Sequence, residues 1–178
     1  MYKKVFHYIQ GLTKLFFLVD NRNMAKQELL HVGICNLEPV QVVQKLCIFR
    51  DQIRNYNKQI RQTFRVLREW VPQSGLNPNE LLHIGIPSTN DRDLVTYDCC
   101  IEFPLPLQED NSNLRVCTLC GGKYAVLTIE KTPAKIKKAI RQFRAAYIPD
   151  HRLVEDDARP VYEIYYETTM EYCVPILE

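Results

Sequence analysis

The sequence predicts an α+β domain. A strand-strand-helix-strand-strand unit occurs twice, and the two halves join one antiparallel sheet with helices on one face and a groove between the halves on the other. Three observations predict it. Short β-branched and aromatic runs recur between turn residues. Two stretches carry apolar residues at helical spacing. The second half of the chain repeats the order of the first.

The elements follow in order. Residues 29–37 read as a strand, Glu38-Pro39 turns the chain, and 40–49 read as a second strand. A long helix comes next, with Ile53, Tyr56, Ile60, Thr63, Phe64, Leu67 and Val71 on its inner face. It ends near Pro72, before Gln73-Ser74-Gly75. Residues 81–86 and 95–103 read as two further strands. In the second half, 114–119 and 123–130 are strands joined at Gly121-Gly122. Thr132-Pro133 is a cap followed by proline in the first helical turn. Ile136, Ala139, Ile140, Phe143 and Tyr147 make the second helical stripe, and Pro149 stops it. Strands over 161–166 and 171–177 close the set. Arg68-Glu69-Trp70-Val71-Pro72 aligns with Ala145-Ala146-Tyr147-Ile148-Pro149 at the helix ends, and the same offset sets Ile86 opposite Glu163.

A chain of 178 residues suits one domain with a short appendage. With 46% hydrophobic and 25% charged residues it is a globular composition. A net charge of +2 gives no footing for direct nucleic-acid binding or for an anionic membrane. Residues 5–19 are amphipathic, interrupted by Lys14 and too short to span a bilayer. Seven cysteines without framework spacing fit a reducing cytoplasm. The predicted organisation is an N-terminal helix and linker over 1–28, then a domain over 29–178 with halves at about 29–107 and 113–178.

Arg159-Pro160-Val161-Tyr162-Glu163-Ile164-Tyr165-Tyr166 places a lone carboxylate in an aromatic strand. Alternation puts Val161, Glu163 and Tyr165 on one face. Burying that acid is costly without a partner, and a cationic or polar ligand would be a natural one; a salt bridge to Arg159 or to a helix lysine is the competing reading.

Arg68-Glu69-Trp70-Val71-Pro72-Gln73-Ser74-Gly75-Leu76, Gly85-Ile86-Pro87, Tyr97-Asp98-Cys99-Cys100-Ile101, Gly121-Gly122-Lys123-Tyr124-Ala125-Val126 and the Glu163 segment, taken in order, resemble the GyrI-like small-molecule-binding domain, the effector-binding module of AraC-type and MerR-type bacterial regulators. The resemblance implies a pseudo-twofold sheet with a cleft for lipophilic, often cationic compounds, and the family's pocket acid falls on Glu163. In some members that pocket hydrolyses strained alkylating molecules. Where the family has a Gly-Pro-Tyr-type segment, this chain reads Phe49-Arg50-Asp51-Gln52, and residues 1–28 contain no helix-turn-helix.

Candidate ligand-binding residues are therefore Glu163, Tyr165, Trp70, Tyr147, Tyr97 and Tyr124, with Glu163 also the catalytic candidate if the protein is an enzyme. Aromatic faces attract cations and stack on flat ligands; ordinary core packing is the competing reading for each ring. Asp98, Cys100 and Glu102 alternate on one strand face, either the cleft or solvent. Cys117-Thr118-Leu119-Cys120 is half a zinc knuckle without a second pair, so no metal is expected. No phosphate loop, dinucleotide fingerprint or nucleophile elbow occurs, so no cofactor is expected.

Three functions compete. A binding module would use Glu163 as electrostatic anchor, for sensing and transcription regulation or for sequestration. A hydrolase acting on a small electrophile would use Glu163 as general acid/base. An interaction or inhibitor module would use the basic helix and residues 1–28. Binding is favoured, because an isolated carboxylate among aromatics suffices for recognition and not for chemistry. A homodimer and a separate DNA-binding partner are both left open.

Overall fold

A computed structural model describes residues 30–49, 56–89, 95–105 and 114–177. The elements are β1 (His31–Leu37), β2 (Val40–Phe49), α1 (Tyr56–Trp70), β3 (His83–Thr89), β4 (Val95–Glu102), β5 (Arg115–Leu119), β6 (Gly122–Glu130), α2 (Pro133–Gln142), β7 (Tyr162–Tyr165) and β8 (Thr169–Pro175). The amphipathic segment expected over residues 5–19, and the remainder of 1–28, lie outside the described residues.

The eight strands form one antiparallel sheet in the order β1-β6-β8-β7-β3-β4-β2-β5. Exchanging β1–β4 with β5–β8 reproduces this order from the other edge, as an internal duplication would. The halves meet at β3 and β7, where Gly85 pairs with Glu163 and His83 with Tyr165. Each half also lends its first strand to the other: β1 pairs with β6, and β5 with β2.

That exchange dictates curvature. β1 and β2 stand six strand spacings apart, as do β5 and β6, yet two residues join each pair. A flat sheet would put six spacings at about 29 Å; three Cα steps reach at most about 11 Å. The sheet must therefore curl until its outer strands meet. The two links lie against each other, since a Cβ on Gly121 would sit 2.3 Å from the Leu37 carbonyl oxygen and 2.9 Å from Pro39.

Alternation along the strands then separates the apolar residues. Val43, Cys47, Tyr97, Cys99, Ile101 and Phe103 meet Ile60, Leu67 and Val71 beneath α1. Ala125, Leu127, Ile129, Met170, Tyr172 and Val174 meet Phe143 and Ile148 on the second-half helix. Inside the curl, Val42, Ile84, Cys100, Leu119, Tyr124, Val126, Tyr162, Ile164 and Cys173 pack on one another. Cys100 places Asp98 and Glu102, which share its strand face, on the side away from the helices.

The two helices differ by one residue. Leu67 and Phe143 are fully buried on their inner faces, 76 apart, whereas Val71 and Ile148 at the ends are 77 apart. Phe143–Tyr147 is a π turn, a form that accommodates one additional residue in a helix. Pro149 follows in the final turn Ile148–Asp150, and the matching Pro72 lies in the 3-10 turn that Gly75 closes at φ 76°.

Candidate functional site

Glu163 lies on the helix-bearing face of β7, at the seam between the halves. Its strand mate Tyr165 packs with the second-half cluster, and its hydroxyl partner Tyr97 belongs to the first. The acid stands on the helix-bearing face, between α1 over β2 and β4 and α2 over β6, while the other face curls and packs on itself.

The carboxylate is half-buried. Tyr97 donates to its Oε2 at 2.6 Å and Tyr165 at 2.5 Å, with the two hydroxyl oxygens 2.6 Å apart. Each phenol spends its proton on the same carboxylate oxygen. Burial pushes the Tyr97 and Tyr165 phenols far above their ordinary range, and the charge of Glu163 adds to both shifts. They are therefore fixed as neutral donors.

The rings around this triangle come from α1 as well as from the sheet. Tyr56 stands edge-on to Tyr97 with centroids 5.9 Å apart, and Phe49 lies 4.4 Å beyond it. Phe64 stands edge-on to Tyr165 at 5.7 Å and lies 6.0 Å from the His83 ring. Among the described residues no lysine, arginine or histidine forms an ion pair with Glu163. Arg159, the basic residue nearest to it in sequence, is bound to Asp156 at 2.6 Å and to the Ile176 carbonyl at 2.8 Å.

The structure thus brings together three of the six aromatic and acidic candidates: Glu163, Tyr165 and Tyr97. Trp70 packs on Phe103 in the first-half cluster, with centroids 5.3 Å apart. Tyr147 stacks on His151 at 3.8 Å and lies 5.6 Å from Phe143 in the second-half cluster. Tyr124 stands apart from the other three. Its ring lies inside the curl, stacked on Tyr162 at 5.4 Å beneath the Arg159 guanidinium, on the face opposite Glu163. Strand parity decides this, because Tyr124 and Tyr162 fill the interior while Glu163, next to Tyr162, points outward. Ile86 is likewise inside the curl; Gly85 is the residue opposite Glu163.

Sequence reasoning missed three contributors. Tyr56 and Phe64 were legible only as members of an apolar helix stripe. Gly85 was quoted as part of a motif, without its reason: a Cβ there would lie 1.8 Å from the Tyr97 hydroxyl oxygen. Only glycine leaves room for that phenol to cross β3 and reach Glu163.

Cys117 donates to Gln44 at 3.0 Å, and Cys120 contacts the Tyr162 hydroxyl at 3.2 Å. Among the described residues no group of three or more His, Cys, Asp or Glu side chains could hold a metal ion. None of the described helices is long and apolar enough to cross a membrane.

SAV2435 bound to tetraphenylphosphonium superposes with a TM-score of 0.56 at 15% identity, over 83% of this chain and 94% of that one. The EcmrR C-terminal domain gives 0.59 at 10% identity, over 85% and 99%. EcmrR in a complex with DNA gives 0.65 at 10% identity, and there this chain spans 58% of the larger protein's length. No curated protein sequence matches. These likenesses establish the fold. The family model described as the GyrI-like small molecule binding domain matches residues 32–177, nearly the whole described chain, and the protein belongs to that family.

Proposed function

We propose that the seam between α1 and α2 binds a lipophilic, cationic aromatic compound, with Glu163 as its electrostatic anchor, Tyr165, Tyr56 and Phe64 as its apolar walls, and the buried Tyr97 phenol holding the carboxylate in place. The observation that carries this reading is a half-buried carboxylate held by two phenols and paired with no cation among the described residues. A negative charge among rings is costly unless the bound state supplies a positive one. A cation inserted there meets both the carboxylate and the electron-rich faces of aromatic groups. SAV2435, a protein of the same fold, has been solved bound to tetraphenylphosphonium, a cation of this kind. The biological use that fits is sensing, through a DNA-binding partner, or sequestration of a toxic compound.

Three probes of similar size and opposite charge test it: tetraphenylphosphonium, neutral triphenylphosphine oxide and anionic tetraphenylborate. Calorimetric titration is expected to give saturable binding of the cation, weaker binding of the neutral compound and none of the anion. Equal affinity for cation and anion would refute the electrostatic reading.

A further inference from the structure

His83 lies on β3, two residues before Gly85 and directly across the seam from Tyr165. It therefore shares the face of Glu163, two residue pairs away along the same ladder. Its Nδ1 lies 3.1 Å from the Leu81 carbonyl oxygen. A carbonyl can only accept, so Nδ1 carries the proton and Nε2 of the neutral ring is left as a lone-pair acceptor. Among the described residues, that Nε2 is the single buried side-chain nitrogen or oxygen without a hydrogen-bond partner. Leaving such a group unmatched costs about 1–3 kcal/mol, and an orphan of this kind calls for an explanation. Burial, with Arg68 and Lys131 nearby, holds its pKa below the ordinary imidazole value, so the acceptor form is the one present at neutral pH.

The Phe64 ring stands against both His83 and Tyr165. It is half-buried. Nε2 is buried, so a ligand reaches it only when a neighbouring side chain moves, and Phe64 is the ring that stands against His83.

We propose that His83 is a second polar anchor of the seam, accepting a hydrogen bond from the ligand, so that the preferred ligands are aromatic cations with N–H donors (protonated arylamines or amidines) rather than donor-free onium ions. This rests on the reading of the seam as a cation site. A donor-free cation satisfies Glu163 alone. A cation with an N–H group satisfies Glu163 and the orphaned imidazole nitrogen together.

The test uses two probes, proflavine with its N–H donors and tetraphenylphosphonium without any, titrated into the unaltered protein, His83→Leu and His83→Gln. His83→Leu is expected to weaken proflavine by roughly tenfold, the worth of one hydrogen bond to a charged donor, and to change tetraphenylphosphonium less than about twofold. His83→Gln keeps an acceptor and is expected to recover part of the loss. Equal weakening of both probes, or no change in either, overturns the role of His83 while leaving the cation site standing. Failure of proflavine alone to bind the unaltered protein overturns this inference and leaves the cation site standing, and failure of both probes overturns the cation site and this inference with it. Should His83→Leu not fold, the imidazole nitrogen-15 shifts of the unaltered protein decide: the Nε2 signal is expected to move from that of a free lone pair to that of an accepting nitrogen on adding proflavine, and an unmoved signal at saturation contradicts the proposal.

Discussion

Gly85 and Glu163 are direct partners across the β3–β7 seam, and the side chain that Gly85 lacks is where the Tyr97 hydroxyl lies. The glycine is thus a geometric condition for the Tyr97–Glu163 hydrogen bond. It also ties the two halves together, since β3 and the phenol belong to one half and the acid to the other.

Gly85→Ala should therefore damage the site out of proportion to its size. The methyl group must displace a phenol that is 1% exposed and has nowhere to go. The expected cost is about 1–3 kcal/mol of stability, the usual penalty for overpacking, together with loss of tetraphenylphosphonium affinity. Urea unfolding and calorimetry measure the two. An alanine variant of unaltered stability and affinity would show that Tyr97 has another place to lie.

The raised phenols make a prediction about alkaline pH. Tyr97 and Tyr165 hold their protons more tightly in the folded than in the unfolded state, first because they are buried and then because Glu163 is charged. A folded-state value above the unfolded one means stability that is present in full below the unfolded value of about 10 and is lost as pH rises past it. The urea midpoint is expected to fall between pH 9 and pH 11. Tyr97→Phe should reduce that fall without abolishing it, because Tyr165 and Tyr56 are shifted in the same direction. A slope identical in Tyr97→Phe would mean that Tyr97 ionises freely.

Arg159 supplies the contrast. It is tied to Asp156 and the Ile176 carbonyl and lies over the Tyr124 ring, 5.1 Å from its centroid. Gly122, at φ 120°, leaves the space that the guanidinium fills. Arg159→Ala is expected to lower the thermal midpoint by roughly 5 °C and to leave tetraphenylphosphonium affinity unchanged. Weakened or strengthened ligand binding in this variant would place Arg159 at the seam after all.

Much of this architecture is legible in the chain because its causes are local. The alternation of Val161, Glu163 and Tyr165 against Tyr162 and Ile164 states which side chains share a face. The stripes that run through Ile60 and from Ile136 state which side of each helix is inward. What alternation leaves open is which face of the sheet receives the helices. That depends on pairings between residues far apart, such as Leu37 with Gly122 and Val40 with Leu119, and these curl the bare face shut. The same gap leaves the face of Tyr124 open: it is aromatic and close to a glycine pair, and its parity puts it inside the curl. The one-residue difference between the helices was invisible for a related reason. Aligning Pro72 with Pro149 is correct at the ends, and the π turn at Phe143–Tyr147 shifts the register before them.

The most direct measurement is the affinity of tetraphenylphosphonium for Glu163→Gln beside the unaltered protein. The amide keeps the shape and an acceptor for Tyr97 and Tyr165 while removing the charge. Affinity is expected to fall roughly 30-fold or more, equivalent to about 2 kcal/mol, with folding retained in urea. A glutamine variant that folds and binds the cation as tightly as before would contradict the claim that this carboxylate is the anchor.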